Sequence, residues 1–431
     1  MMNALKVLKI NQFKSKINFK ILFTFFTSLI IPILMFITIK LAANSMDTNS
    51  FGVYNVSRKA LSLLSFPLLL GLGISIPRYL SIHEKSPSIS HSLVLTGYFM
   101  MCIILISFSF VIILFKAQIA FLIFSDTAYK PLVYPITLSI IGFCIYTLNY
   151  SYYRGRLMLN TANVIQILNA GIIPLISILI FNKSLSHILY SMGILWIISS
   201  APHSIIILNK SIQITKKKYV FIKSIKTLFS YGFPRVIGEF AMFGFFSIPV
   251  IYSAHKVNLE YSGFLSLSFS FFQLFATSYS FIGILMLPTV SRNLLDDKFL
   301  TIKKRIDLIL LISIFINVLY IIFSFLFLEK IILLFFGSEY LESNMITLKL
   351  LYGLIPYIVF FLLRDVLDAI SEFPSNSINL SLSLFVMIGL LFLDIFSVEN
   401  TMLICFCLLG LLSLYSYRRH VKIILLKNKT I

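Results

Sequence analysis

Acidic residues are scarce in this chain of 431 residues, which carries 16 Asp and Glu against 36 Lys and Arg. Charged residues of both signs make up only 12% of the sequence, whereas hydrophobic residues make up 58% and the mean hydropathy is +0.95. A soluble domain has about twice that charged fraction. The composition therefore excludes an ordinary soluble protein and indicates a chain that lies in a lipid bilayer.

Residues that build catalytic and metal sites are also few. The four cysteines (Cys102, Cys144, Cys405 and Cys407) fall inside apolar segments, where we expect them to act as small buried hydrophobes. The six histidines show no metal-ligand spacing. No phosphate-binding glycine loop, nucleophile elbow or HExxH motif is present. We therefore expect no catalytic residue, no metal site and no cofactor.

Long apolar runs are the dominant feature of the sequence. They are continuous rather than alternating, and each is about 20 residues long, the length at which a helix crosses the hydrocarbon core. Because backbone polar groups in lipid are satisfied only within helices or closed barrels, continuous runs favour helices. We predict an all-α integral membrane protein with about 12 transmembrane helices. The predicted helices are residues 20–42, 53–77, 92–115, 131–152, 162–181, 187–208, 228–251, 262–288, 306–327, 346–366, 375–394 and 398–417.

Basic residues are distributed unevenly among the predicted loops. With the N-terminus in the cytoplasm, the cytoplasmic segments contain 26 Lys and Arg, and the loops on the other side contain 7. This positive-inside bias predicts that both termini are cytoplasmic. Since topology accounts for most of the net charge of +20, no nucleic acid partner is expected. The first apolar run, from Ile21 to Ile39, is too long for a secretory signal and is interpreted as the first membrane helix.

A weak internal repeat relates the two halves of the chain. An offset of about 211 residues aligns Gly52–Pro77 with Gly263–Pro288, and Ile119–Phe124 with Ile331–Phe336. An even number of helices in each half gives parallel repeats, which we expect to surround a central cavity. The predicted divisions are an N-terminal six-helix lobe (1–208), a basic cytoplasmic linker (209–226) and a C-terminal six-helix lobe with a basic cytoplasmic tail (227–431).

Charged residues inside the predicted helices are the candidate site, because intramembrane charge is costly and usually functional. Arg235 and Glu239 lie four residues apart in YGFPRVIGEF, so they share one helix face with Tyr231. We expect Arg235 to bind an anion through its planar guanidinium, with Glu239 pairing with it or exchanging protons. A purely local ion pair at the end of helix seven is the alternative. Arg364 and Asp368, also four apart, are interpreted as a helix-end ion pair.

Arg58 and Lys59 form a second candidate, directly before an uncharged apolar run. The repeat aligns them with Phe269 and Ser270, so this helix position does not itself require charge. The same alignment predicts that the second helix begins near Gly52, which places both cations within it.

A stripe of polar residues on this helix adds further residues to the second candidate site. Arg58, Ser62 and Ser65 follow helical spacing, and we expect them to line the cavity. Lys59 lies about 100° further round the helix and has the weaker claim. The alternative is that both long side chains reach out to the lipid headgroups.

Several stretches resemble one family. FGVYNVSRKALSLLSFPLLLGLGISIPRYLS is similar to the second helix of bacterial polysaccharide flippases, and YGFPRVIGEF to the start of their seventh. YSGFLSLSFSFFQLF and LMLPTVSR are similar to their eighth helix and its close, and LLFFGSEYLES to the outer motif before helix ten. Over nearly its whole length the chain resembles a Wzx-type O-antigen flippase of the multidrug/oligosaccharidyl-lipid/polysaccharide exporter superfamily.

The resemblance implies a transporter rather than an enzyme. Such a protein moves an undecaprenyl-pyrophosphate-linked oligosaccharide of O-antigen or lipopolysaccharide biosynthesis from the cytoplasmic to the periplasmic leaflet by alternating access. The expected location is the bacterial inner (plasma) membrane, and the expected partners are membrane lipids, a polysaccharide polymerase and glycan assembly proteins. The resemblance also implies that an H⁺ or Na⁺ gradient supplies the driving force in place of a cofactor, and we expect Glu239 to be the proton site and Arg58, Lys59 and Arg235 to bind the pyrophosphate.

Two other functions are open from the sequence. A MATE-type ion-coupled drug exporter handles cations and relies on embedded carboxylates, notably in its first helix, but Lys20–Leu41 contains no Asp or Glu. The excess intramembrane charge is positive, which favours an anionic substrate. A non-transporting membrane scaffold of a glycan assembly complex is the other alternative, and it would need no polar cavity.

Overall fold

The computed structural model describes residues 19–182, 184–215, 221–279, 299–371 and 373–427, together with 282, 286 and 290. These residues are organised in helices, and no strand occurs among them. The helices in chain order are α1 (Phe19–Ser45), α2 (Thr48–Leu68), α3 (Leu72–Ile82), α4 (Pro87–Leu114), α5 (Lys116–Phe124), α6 (Lys130–Gly155), α7 (Leu159–Gln166), α8 (Ile173–Phe181), α9 (Leu185–Thr215), α10 (Phe221–Lys256), α11 (Leu259–Thr277), α12 (Phe299–Phe335), α13 (Glu342–Tyr352), α14 (Leu354–Ile370), α15 (Ser375–Leu393) and α16 (Val398–Lys427).

Within the described ranges, nine helical segments are long and apolar enough to cross a membrane. Two more spans are bent pairs, since α2 and α3 meet at 45° and α13 and α14 at 52°. α11 covers the first part of the eighth predicted helix, most of whose remainder lies outside the described residues. The prediction of an all-α, multi-pass membrane protein is confirmed, and the predicted number of about 12 helices corresponds to these eleven spans and α11.

The outer helices present apolar side chains to their surroundings. Phe315 and Phe325 of α12 are 63% and 73% exposed, and Phe385 and Phe392 of α15 are 77% and 85% exposed. A soluble protein rarely exposes apolar surface on this scale, whereas lipid tails cover it without cost. By contrast, the first half of α2 is buried, which places this helix inside the bundle.

The second span begins earlier than its apolar run and breaks in its middle. α2 starts at Thr48, where Asp47 caps the helix by accepting a hydrogen bond of 3.1 Å from the Ser50 amide. Arg58 and Lys59 therefore lie inside a helix, as predicted. The span then breaks at Leu70 and Gly71, whose φ angles of 46° and 68° lie in the left-handed region.

Glycine at the break also permits a close backbone contact. A Cβ atom on Gly71 would lie 2.3 Å from the carbonyl oxygen of Gly232 in α10, so this position has no room for a side chain, and its positive φ also favours glycine. α3 therefore packs against the start of α10. We call this end of the bundle, where α3 ends and α10 begins, the basic end, because the neighbouring loops carry most of the Lys and Arg.

Two short 3₁₀ turns occupy corresponding places in the two halves. Thr127–Tyr129 follows α5, and Ser338–Tyr340 follows α12, in keeping with the predicted offset of about 211 residues. Tyr340 is fully buried and donates a hydrogen bond of 3.0 Å to the Ala43 carbonyl at the end of α1. The second turn therefore joins the C-terminal half of the chain to the N-terminal half.

Corresponding residues of the two halves also meet each other. The Ser266 hydroxyl donates a hydrogen bond of 3.0 Å to the Asn55 side-chain oxygen, and these two residues are 211 apart. A Cβ atom on Gly263 would lie 3.1 Å from the Gly52 Cα atom. Contacts between equivalent positions are expected on an axis that relates two repeats. They support the division into lobes 1–208 and 227–431, which stays a prediction, as does the linker 209–226, where residues 216–220 are outside the described part.

Candidate functional site

A cavity of about 330 Å³ lies between α1 and α2 of the first half and α10, α11 and α14 of the second. We call it the central cavity. Most of its wall is apolar, and its two charged lining residues are Arg58 and Lys59. Its described lining contains no Asp or Glu. Hydroxyl and amide groups complete the polar part of the wall, from Ser62, Ser247, Ser266, Ser270, Gln273, Thr277 and Tyr357.

Arg58 and Lys59 have no acidic partner within ion-pair distance in the described part of the chain. The Arg58 guanidinium carbon lies 5.5 Å from the centroid of the Tyr54 ring, and the Lys59 Nζ atom lies 5.8 Å from that of Phe269. Such cation–π contacts offset only part of the cost of removing a cation from water. Two neighbouring cations without a counter-charge favour binding of an anion in this cavity.

The predicted stripe on α2 needs one correction. Ser62 lines the central cavity with the two cations, but Ser65 is fully buried and donates its hydroxyl hydrogen to the Leu61 carbonyl at 2.6 Å. α6 covers Ser65, since the Cys144 sulfur lies 3.9 Å from the Ser65 carbonyl oxygen. Ser65 therefore does not contribute to the cavity wall, whereas Lys59, the weaker candidate, does.

A second cavity, of about 1110 Å³, lies towards the basic end between α3, α10, α14 and α15, and we call it the basic-end cavity. Its charged lining residues are Arg78, Arg235, Glu239, Arg364 and Asp368. Met242 and Phe243 line both cavities, so the two are adjacent. The predicted site residues therefore separate into two groups along α2, α3 and α10.

Tyr231 lies between two arginines at the basic end. The guanidinium carbons of Arg235 and Arg78 are 3.6 Å and 4.2 Å from the centroid of its ring. Arg78 also donates a hydrogen bond of 2.7 Å to the Tyr231 hydroxyl, and Arg235 donates one of 2.9 Å to the Tyr231 carbonyl oxygen. Arg78 is not among the predicted site residues, because the predicted second helix ends at residue 77 and places Arg78 in the following loop, whereas the structure places it in α3.

The predicted pair of Arg235 and Glu239 is not formed. The guanidinium of Arg235 turns back by one helical turn to Tyr231, where it gains both an aromatic face and a carbonyl acceptor. Among the described residues no cation lies within ion-pair distance of Glu239, which instead lines the basic-end cavity. An acidic group in a cleft without a counter-charge is a candidate for proton exchange.

The predicted pair of Arg364 and Asp368 is also replaced by other contacts. The Arg364 Nε atom lies 3.7 Å from Asp365, the next residue along the chain. Asp368 accepts a hydrogen bond of 2.7 Å from the Asn376 side-chain amide, which also donates to the Arg364 carbonyl. Arg364 lines the basic-end cavity together with Arg78 and Arg235.

Substitutions at Tyr231 should separate the contributions of its ring and its hydroxyl. Tyr231→Phe loses the bond from Arg78 and should cost about 0.5–1.5 kcal/mol of stability. Tyr231→Ala also loses two cation–π contacts of about 0.5–2 kcal/mol each. Denaturation in detergent measures both, with the exposed Tyr415→Ala as a near-neutral control. Equal stability of all three variants and the parent would show that the stacked arrangement contributes nothing.

Neither a family model nor a curated protein matches the sequence. Solved structures do match the fold. The inward-facing form of a multidrug resistance MATE family transporter of the MOP superfamily has a TM-score of 0.68 at 12% identity, covering 94% of this chain and 99% of that one. A MOP superfamily transporter from Pyrococcus furiosus, described as having a binding pocket of reverse polarity, has a TM-score of 0.60 at 13% identity, with 93% and 95% covered. A mutant of the Vibrio cholerae MATE transporter VcmN has 0.59 at 14%, with 94% and 95% covered.

The chain therefore has the fold of MATE transporters of the MOP superfamily. An outward-facing structure of a multidrug resistance MATE transporter has a TM-score of 0.55 at 13% identity, with 94% of this chain and 96% of that one covered. The score for the inward-facing form is higher, at 0.68. The arrangement of helices described above is thus more similar to the inward-facing form.

Proposed function

We propose that this chain is a transporter that works by alternating access and carries an anionic amphiphile across the membrane. The proposed substrate is an undecaprenyl-pyrophosphate-linked oligosaccharide, moved from the cytoplasmic to the periplasmic leaflet of the bacterial inner membrane. The observation that carries this proposal is the central cavity, whose described lining has Arg58 and Lys59 and no carboxylate. Guanidinium and ammonium groups bind pyrophosphate through charge-assisted hydrogen bonds, which Arg makes in pairs.

The two cavities suggest two positions for the pyrophosphate. The basic end is the predicted cytoplasmic end, and Arg78, Arg235 and Arg364 lie in the cavity there. From that cavity the pyrophosphate would pass to Arg58 and Lys59 in the central cavity. On α10, Arg235 lines the basic-end cavity and Phe246 lines the central cavity, and the distance between them along the helix is about 16 Å at 1.5 Å per residue. The polyprenyl tail would stay in lipid throughout.

Sugar groups have suitable partners in the central cavity. Ser62 and Gln273 offer hydroxyl and amide groups that donate and accept hydrogen bonds, and the Ser270 hydroxyl, which donates to the Ser266 carbonyl at 2.9 Å, can accept one more. Tyr357 and Phe361 supply aromatic surface in the same wall. Neutral polar groups beside two cations, in an otherwise apolar wall, match a substrate that consists of sugars on a pyrophosphate.

A MATE-type drug exporter is the second candidate, and the solved neighbours favour it, because two of those reported are described as multidrug resistance transporters. The charge of the central cavity argues against it. An organic cation would meet Arg58 and Lys59 there, and α1 contains no Asp or Glu. The Pyrococcus furiosus neighbour is described as having reverse pocket polarity that suggests a different function, so the fold alone does not select the substrate.

Reconstitution into liposomes tests the two candidates and the scaffold alternative together. The proposal expects a pyrophosphate-linked oligosaccharide lipid in the inner leaflet to become accessible to an external lectin faster than in protein-free liposomes. A drug exporter would instead move ethidium against its gradient. A protein that moves neither compound would have the behaviour expected of a scaffold, and the proposal of transport would be wrong.

Glu239 is the proposed proton site, since it lines the basic-end cavity without a cation partner in the described part of the chain. Glu239→Gln should retain binding of the substrate while transport loses its response to an imposed pH gradient. Asp368→Asn is the matched control, because Asp368 is already held by Asn376. A pH response that is unchanged in Glu239→Gln would contradict this role. The same assay with an imposed Na⁺ gradient would show whether Na⁺ drives transport instead of H⁺.

A further inference from the structure

The boundary between the two cavities lies at the same level on two helices. Along the second span, Ser62 lines the central cavity and Ile74 lines the basic-end cavity. Along α10, Glu239 lines the basic-end cavity and Phe246 lines the central one. Between these pairs lie Phe66, one turn beyond Ser62, and Phe243, one turn beyond Glu239.

Phe66 and Phe243 stack face to face at this boundary. Their ring centroids are 3.5 Å apart and their planes differ by 11°. Phe243 belongs, with Met242, to the wall of both cavities, so it lies between the two adjacent cavities. Parallel rings at this distance leave no room for water between them, and the contact is non-covalent and therefore reversible.

Each ring of the pair is supported by a different half of the chain. Phe66 contacts Phe143 of α6 edge-on, with centroids 6.0 Å apart, and Phe143 contacts Trp196 of α9, also at 6.0 Å. These helices belong to the N-terminal half, whereas Phe243 is on α10. The break at Leu70 and Gly71 follows Phe66 by one turn. Movement of one half relative to the other would therefore separate the rings.

We propose that Phe66 and Phe243 form a gate that closes the passage between the basic-end cavity and the central cavity. A hydrated anion does not cross a dry aromatic constriction, because it would lose its water without gaining a partner. A substrate headgroup would pass only when the two halves move apart. The gate rests on geometry alone and requires no knowledge of the substrate.

Thiol labelling tests the gate directly. In a variant whose four native cysteines are replaced, one reporter is Ser62→Cys in the central cavity and the other is Ser377→Cys in the basic-end cavity. Membrane vesicles are used in the orientation in which Ser377→Cys reacts with a negatively charged, membrane-impermeant thiosulfonate. A dry constriction should make Ser62→Cys react at least about tenfold more slowly than Ser377→Cys.

Opening the gate should remove that protection. Phe66→Ala or Phe243→Ala should bring Ser62→Cys close to the rate of Ser377→Cys, while Phe229→Ala should not. Phe229 is the matched control because it also stacks on a phenylalanine, Phe233 of α10, at 4.8 Å, but both of these rings are exposed. Phe243→Leu, which keeps most of the volume, should give an intermediate rate.

Two results would overturn the gate. One is a Ser62→Cys reporter that reacts as fast as Ser377→Cys in the parent, and the other is protection that survives both alanine substitutions. Emission from Trp196, the single tryptophan of the chain, verifies that each variant is folded. Because labelling involves no transported substrate, a failed gate would leave the proposed function untouched, and failure of lipid transport would leave the gate.

Discussion

Replacing both Arg58 and Lys59 with alanine should abolish transport of a pyrophosphate-linked lipid and strongly weaken its binding. Each cation should contribute about 1.5–3 kcal/mol through charge-assisted hydrogen bonds. Since 1.4 kcal/mol is a factor of ten, the pair corresponds to a loss of about 100-fold to 10,000-fold in affinity. Farnesyl diphosphate is a suitable soluble probe, and its dissociation constant measured in detergent would test the expectation.

The same double variant should fold at least as well as the parent. No acidic side chain in the described part of the chain pairs with either cation, so their removal leaves no buried charge unpaired. This separates a loss of binding from a loss of structure. Lys256→Ala is the control for loss of a cation outside the cavity, because Lys256 pairs with Asp394 at 2.6 Å on an exposed surface, where an ion pair contributes only about 0–1 kcal/mol.

Two outcomes would count against this role of the cations. Parent-like affinity of the double variant for farnesyl diphosphate would mean that the anion binds elsewhere. If the double variant instead gained transport of an organic cation, cavity charge would be the barrier against cations, and the chain would be closer to a drug exporter. Arg58→Lys and Lys59→Arg should each keep partial binding, since both retain the charge but change the geometry of donation.

The sequence predicted the spans because lipid imposes a simple rule on composition. Apolar runs of about 20 residues predict helices with few errors. The internal repeat added the starting point of the second helix, which hydropathy alone does not give. By aligning Arg58 with Phe269, it moved the start of the second helix to the N-terminal side of the cations, and the structure begins that helix at Thr48.

The details of the site depended on information that spacing does not hold. Residues four apart share a helix face, but Arg235 could reach either Glu239 or Tyr231, and the aromatic ring with its carbonyl was the better partner. Arg78 contacts Tyr231 from a span that breaks at Gly71, and a glycine in an apolar run does not reveal its φ angle. Ser65 has the right spacing for the cavity, but a neighbouring helix covers it.

Gly52→Ala should disrupt the contact between the two halves at the end of the bundle opposite the basic end. A Cβ atom on Gly52 would lie 1.8 Å from the carbonyl oxygen of Leu259 and 2.5 Å from its carbonyl carbon. These are backbone atoms at the start of α11, so no side-chain rotation relieves the overlap. The substitution must push α2 away from α11, where Asn55 and Ser266 are also hydrogen-bonded.

The expected result is a change of conformation with a measurable cost. Overpacking of this kind costs about 1–3 kcal/mol, and more where backbone must move. A Ser266→Cys reporter in the cysteine-free chain should react faster with an impermeant reagent added from the end opposite the basic end. Gly389→Ala on α15 is the matched control, because a Cβ atom on Gly389 would have no neighbouring atom within 4 Å. Gly389→Ala should increase the free energy of unfolding by no more than about 1 kcal/mol, because alanine favours a helix more than glycine does.

This pair of glycine variants also tests how the two ends of the bundle are coupled. If the halves move as rigid bodies, separating them at Gly52 should bring them together at the basic end, so labelling of Ser377→Cys should slow as labelling of Ser266→Cys rises. If Gly52→Ala merely loosened the protein, both reporters would react faster. Unchanged stability and labelling in Gly52→Ala would mean that α2 and α11 do not approach as closely as the structure places them. The opposite responses of the two reporters are therefore the specific expectation of alternating access.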